Sequence, residues 1–140
     1  MPLNTQPTIQ EALCVDAACS GNPGMMEYRG VHLPSGKVVF HYGPIKGTNN
    51  IGEFLAIVHG LALLQQRGLS MPVYSDSVSG MAWVRNRKAK TTLQRTAETS
   101  QALDLVARAE QWLRTHTPAN QVIKWNTEEW GEIPADFGRK

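Results

Sequence analysis

Apolar residues along this chain change their period several times, and each change marks an element. Residues 11–16 end in Ala12-Leu13-Cys14-Val15-Asp16, apolar on both faces, which predicts a strand covered on both sides near the middle of a sheet. Met25 to Leu33 and Lys37 to Tyr42 flank the turn residues Pro34-Ser35-Gly36 and predict a hairpin. Residues 43–50 read as a loop. From Ile51 to Arg67, Phe54, Ile57, Val58, Leu61 and Leu64 recur at helical spacing, with Asn50 placed as N-cap and Gly68 as a stop. Val73 to Ser75 is a second short apolar strand. A strand, a crossover containing a helix and another strand form a parallel pair. Residues 77–87 predict a helix carrying Met81 and Val84 inward. Residues 97–115 predict a longer one burying Leu103, Val106, Ala107, Trp112 and Leu113. Pro118 ends that region, Gln121 to Trp125 reads as the last strand, and the tail from Asn126 looks irregular. The class is α/β.

Four carboxylates stand out against this pattern. Asp16 closes one apolar run before the turn Gly21-Asn22-Pro23-Gly24, and Asp76 closes another, Val73-Tyr74-Ser75. The two should end neighbouring parallel strands at one sheet edge, where α/β folds place their sites. Glu53 opens a helix just after Thr48-Asn49-Asn50, and Asp136 lies almost at the C-terminus. Singly, each has a plain structural role: a turn former, a helix-dipole partner, an N-cap and a solvated charge. Together they are suited to a metal. Two carboxylates ~5 Å apart repel by roughly 3 kcal/mol at an effective dielectric of about 20, so such a cluster favours cations. All-oxygen donors favour Mg²⁺, with Mn²⁺ as a substitute, over zinc. Two such ions ~3.5–4 Å apart can activate water and stabilise the leaving oxygen of a phosphodiester.

Composition narrows the picture further. The 140 residues suit one domain, and 41% hydrophobic with 19% charged residues fits a globular chain. A net charge of +2 does not by itself argue for nucleic acid, but Arg85, Arg87, Lys88 and Lys90 crowd into six residues. Cys14 and Cys19 fit no zinc spacing and read as free thiols in a reducing compartment. No signal peptide is visible and no apolar run nears the ~20 residues of a membrane helix, so a cytoplasmic protein is expected. No stripe is suited to a dimer, so the expected state is a monomer without an obligate protein partner.

The ordered pieces Asp16 with Gly21-Asn22-Pro23-Gly24, Thr48-Asn49-Asn50 with Glu53, Ser75-Asp76-Ser77, and the tail from Trp130 to Lys140 closely resemble type 1 ribonuclease H. The tail Trp-Gly-Glu-Ile-Pro-Ala-Asp-Phe-Gly-Arg-Lys is similar to that of a bacterial subset. The resemblance covers residues 11–140, leaving residues 1–10 as a short arm with no room for the hybrid-binding domain some members carry. It implies the ribonuclease H fold, a five-stranded mixed sheet flanked by helices. It implies endonucleolytic cleavage of the RNA strand of RNA–DNA hybrids by two metal ions, leaving 3′-hydroxyl and 5′-phosphate ends. Asp16, Glu53, Asp76 and Asp136 would be the metal ligands, and Glu132 would sit beside the scissile phosphate and help product leave. Asn22, Asn49 and Asn50 would contact the RNA strand, whose 2′-hydroxyl distinguishes it from DNA. Thr48, Thr92 and Thr127 would grip a DNA phosphate, and Trp83 would stack on deoxyribose.

Other members use a loop histidine, but none of His32, His41, His59 or His116 occupies that stretch. Two positions depart from the family pattern: Val78 replaces a common glutamine that reaches the RNA, and Cys19 replaces a common serine. The basic protrusion of some members is also missing. Two other readings share the fold. A non-catalytic binding module should have lost an acid, and all four remain. A transposase-type domain would need DNA-binding segments for which the chain has little room.

Overall fold

The computed structural model describes residues 11–138; the arm expected at residues 1–10 lies outside the described residues. Five strands form one mixed sheet in the order β3-β2-β1-β4-β5. Strand β1 (Ala12–Gly21) turns through Asn22 and Pro23 into β2 (Gly24–Leu33), and Pro34-Ser35-Gly36 turns β2 into β3 (Lys37–Gly47). These pairs are antiparallel, whereas β1 lies parallel to β4 (Val73–Ser75) and β4 parallel to β5 (Val122–Lys124). Helix α1 (Asn49–Gln66) belongs to the crossover between β3 and β4. After β4 come α2 (Val78–Asn86) and α3 (Ser100–Thr115), and α4 (Thr127–Trp130) is a single turn in the tail.

The alternation of β1 divides the core. Leu13, Val15 and Ala17 join the larger cluster with Phe54, Ile57, Leu61, Val106 and Leu113 from α1 and α3. Burying each such aliphatic or aromatic side chain contributes about 1.5–3 kcal/mol. Two glycines let α1 lie close against the sheet: a Cβ on Gly52 would come 2.8 Å from Ala17 Cβ, and one on Gly60 would come 2.9 Å from Leu13 Cδ2. Cys14, on the opposite parity, packs with Val31, Trp125, Ile133 and Ala135 in a smaller cluster. The C-terminal tail is therefore the cover of the second face.

Several boundaries differ from expectation. Strand β1 continues past Asp16 to Gly21, because the Asn22-Pro23 turn lets it pair with β2 down to Gly21 opposite Gly24. Asp16 is thus within a strand rather than at its end. Strand β3 absorbs most of the expected loop, reaching Gly47 opposite Gly24. Thr48, not Asn50, caps α1, its Oγ1 accepting from Ile51 N at 3.2 Å. Helix α3 starts only at Ser100, behind a pair of threonines, Thr96 and Thr99, whose hydroxyls accept each other's backbone N–H. Ala107 is exposed; the buried stripe runs through Ala102, Val106, Ala109, Glu110 and Leu113. The tail is less irregular than expected, since Asn126 caps α4 by accepting from Glu129 N at 3.2 Å.

Candidate active site

The β1–β4 ladder pairs Leu13 with Val73 and Cys14 with Tyr74. Asp16 and Asp76 each stand two residues beyond that last pair, where the ladder opens. Ser77 caps α2 by accepting from Gly80 N at 2.9 Å and accompanies Asp76 in the turn out of β4. Glu53 arrives from the first turns of α1, which pack closely on α2. A Cβ on Gly80 would lie 3.1 Å from Glu53 Cβ and 3.0 Å from Ser77 Oγ, so the glycine permits that approach. The result is a cluster of three acids in which one carboxylate oxygen each from Asp16, Glu53 and Asp76 lies within 4.8 Å of the others. Asp16 and Glu53 are buried, at 0% and 2% exposure, and Asp76 is half-buried. Buried carboxylates this close repel strongly, and an all-oxygen donor set with one side open fits a hard divalent cation.

Asp136 is not one of that group. It sits half-buried in the tail, its N donating to Ile133 O at 2.9 Å and its Oδ2 accepting from Gly138 N at 2.9 Å. Glu132 is exposed on the same segment. Below them the tail is fixed by the rings of Tyr74, Trp125 and Trp130, packed edge to face with centroids 4.9–6.5 Å apart. Trp125 Nε1 also donates to Gly131 O at 2.9 Å.

A groove of about 500 Å³ runs past the N-terminal end of α1, the helix that carries Glu53; its lining includes Asn22, Thr48, Asn50, Trp83 and Thr92 and none of the three acids. These five come from the β1–β2 turn, the start of α1, α2 and the loop after it. Asn49 joins them indirectly, its backbone N donating to Asn22 Oδ1 at 3.2 Å. Trp83 meets Phe54 edge to face at 6.1 Å and also lines the groove, so packing and exposure coexist in one side chain. Thr127 and Glu132 stand outside the groove. Of the basic run, Lys90 lines it, together with Lys46 from β3. Lys88 instead lies 3.9 Å from Glu110, and Glu110 Oε2 accepts from Ala89 N at 2.8 Å. Val78 is 71% exposed at the start of α2, and Cys19 Sγ approaches Gly47 O at 3.8 Å.

Residues 9–127 match the RNase H family. The chain belongs to that family. Ribonuclease H enzymes are nucleases that hydrolyse phosphodiesters, and this chain shares substantial sequence with several. A ribonuclease H of Bordetella avium is 36% identical over 129 residues, covering 76% of this chain and 80% of the relative. One from Neorickettsia sennetsu is 27% identical over 142 residues, covering 89% and 87%. Among solved structures, an RNase H1 isolated from compost superposes with a TM-score of 0.54 at 18% identity, covering 84% of this chain and 85% of that one. The N-terminal RNase H domain of a Mycobacterium tuberculosis protein also gives 0.54, at 19% identity, with 83% and 86% covered. These two share the ribonuclease H fold: a five-stranded mixed sheet with flanking helices.

Two contributors escaped the sequence reading. Glu110 belongs to no motif in the sequence, yet it is buried and holds the loop beside the groove. Arg29 carried no motif, although counting back from the two-residue turn at Asn22-Pro23 sets it opposite Asp16.

Proposed function

We propose that this ribonuclease H is of type 1 and cleaves the RNA strand of RNA–DNA hybrids endonucleolytically, leaving 3′-hydroxyl and 5′-phosphate ends. The observation that carries the reading is the convergence of Asp16, Glu53 and Asp76 within 4.8 Å, with a groove lined by Asn22, Thr48, Asn50, Trp83 and Thr92 past the N-terminal end of the helix that carries Glu53. Asp16, Glu53, Asp76 and Asp136 would hold two Mg²⁺ ions, with Mn²⁺ as a substitute. When bound, such ions lower the pKa of water and neutralise charge on the leaving oxygen.

The remaining work falls to the chain itself. Asn22 and Asn50 present amides able to exchange hydrogen bonds with 2′-hydroxyls, and Asn49 is held beside them through Asn22. Thr48 and Thr92 offer hydroxyls to a DNA phosphate, and Trp83 offers a ring face to a deoxyribose. Thr127, outside the groove, would extend the phosphate contacts along the tail. Glu132, exposed near Asp136, would assist product departure. No member of this set is a histidine. The reading includes a monomer acting in the cytoplasm, with the hybrid as its partner and residues 11–140 as the catalytic domain.

The test is cleavage of an end-labelled RNA–DNA hybrid with and without Mg²⁺, beside duplex DNA and duplex RNA. Hybrid-specific, Mg²⁺-dependent cutting is expected. Asp76→Asn preserves shape but removes a negative ligand, so its rate should fall at least ~10²–10³-fold with the melting temperature little changed. Cleavage near the parental rate would remove Asp76 from the site.

A further inference from the structure

Residues 135–137 belong to no helix or strand among the described residues, yet all three touch one side chain. Arg29 Nε donates to Ala135 O at 2.9 Å, and its Nη2 donates to Asp136 O at 2.8 Å. Its Cζ lies 4.8 Å above the centre of the Phe137 ring. The planar guanidinium thus uses two forked donors on successive carbonyls and its face on the next side chain, a combination a lysine cannot reproduce. Arg29 starts from β2, directly opposite Asp16 on β1. Opposed residues of an antiparallel pair project to the same side of the sheet. Arg29 therefore shares the side of Cys14 and Val31, the side the tail covers through Ile133 and Ala135. One residue ties the middle of the acid-bearing strand pair to the segment that carries Asp136.

We propose that Arg29 is a positioning residue that clamps the backbone of residues 135–137 and so aims the Asp136 carboxylate at the Asp16–Glu53–Asp76 cluster. The proposal rests on the reading of Asp136 as a metal ligand. Arg29 touches neither substrate nor metal in this role. Its contribution is to restrict an irregular segment that belongs to no strand or helix.

The sign of the metal-binding effect separates this role from plain electrostatics. Removing a cation from beside a cluster of acids should tighten divalent-ion binding. Releasing a clamped ligand should weaken it. Mn²⁺ binding, followed by electron paramagnetic resonance of the free ion, is compared for the parent, Arg29→Gln, Arg29→Lys, Asp136→Asn and Arg29→Gln/Asp136→Asn. Amide hydrogen exchange is followed over residues 133–138 in the same proteins. Losing the charge-assisted bonds should weaken Mn²⁺ binding about tenfold in Arg29→Gln. Arg29→Lys keeps the charge but loses the fork, so it should stay well short of the parent. Exchange at Asp136 and Gly138 should quicken in both, and the double variant should bind Mn²⁺ as Asp136→Asn does.

If Asp136→Asn binds Mn²⁺ and cleaves hybrid like the parent, the ligand assignment beneath the proposal is wrong. If Asp136→Asn is impaired while Arg29→Gln matches the parent in binding and exchange, the clamp itself is wrong. Tighter binding in Arg29→Gln, full rescue by lysine, or an Arg29 effect that persists undiminished without Asp136 would also overturn it.

Discussion

His59 and Tyr28 show how single side chains away from the acids respond to burial. Tyr28 Oη and His59 Nδ1 are 2.9 Å apart, and the imidazole stacks on Phe40 with centroids 4.0 Å apart. Burial pushes the Tyr28 phenol up from its usual value, with Tyr42 adding to the shift, and pushes the His59 imidazole below 6.5. Both groups are then neutral near pH 7 and share one hydrogen bond, whose donor is set by the imidazole tautomer. Burial likewise pushes the Cys14 thiol up to about 12, which leaves it an unreactive core group. For His59 the folded value lies below the unfolded one, so the unfolded chain binds its proton first as pH falls. Its contribution to stability is fully present above the unfolded value and is lost as pH drops through the folded one. His59→Gln keeps an acceptor for Tyr28 but cannot titrate. Thermal melts from about pH 7.5 to 5 should therefore show a shallower loss of stability in the variant than in the parent. Parallel slopes would mean that His59 is not held neutral by the fold.

At the scale of elements, the site depends on how closely α1 and α2 approach. Gly80 lies under Glu53, where a Cβ would meet Glu53 Cβ at 3.1 Å and Ser77 Oγ at 3.0 Å. Gly80→Ala leaves the helix intrinsically better, since alanine is favoured over glycine there by about 1 kcal/mol. It also pushes α2 away from α1 and moves Asp76, which precedes the Ser77 cap, relative to Glu53. We expect hybrid cleavage to fall about tenfold or more, while the melting temperature changes little because these opposing effects offset. Unchanged turnover would show that the site tolerates the displacement. The sequence already displayed the elements that matter here. The spacing of Phe54, Ile57, Leu61 and Leu64 announced α1, and Val73 to Ser75 announced β4. The end of β1 was hidden because Ala17, Ala18 and Cys19 resemble a turn approach until β2 supplies a partner as far as Gly24. Ala107 and Ala109 have the same side chain, so only the docking of α3 could assign one to solvent and the other to the core.

At the scale of the whole molecule, net charge is a poor guide and placement is a good one. The overall +2 comes from 14 basic and 12 acidic residues, a balance that announces no polyanion. The fold gathers Lys46 from β3 and Lys90 from the loop after α2 along one groove, although they are distant in sequence. The sequence could show the basic run from Arg85 to Lys90, but it could not divide that run. That division follows from Glu110, whose carboxylate takes Ala89 N and lies near Lys88, orienting the loop so that Lys90 reaches the groove. Each lysine that contacts a phosphate releases bound counterions, and losing it lowers the salt dependence of binding by roughly one unit of slope. Lys46→Ala and Lys90→Ala should each flatten a plot of log affinity against log salt by about that amount on a hybrid in Ca²⁺ or metal-free buffer. Lys88→Ala should flatten it less, because its ammonium is already partly engaged by Glu110. Glu110→Gln retains an acceptor for Ala89 N while removing the charge, so it should leave the slope due to Lys90 intact. Equal slopes for Lys90→Ala and the parent would return the groove wall to solvent and shift the phosphate contacts to Arg85 and Arg87.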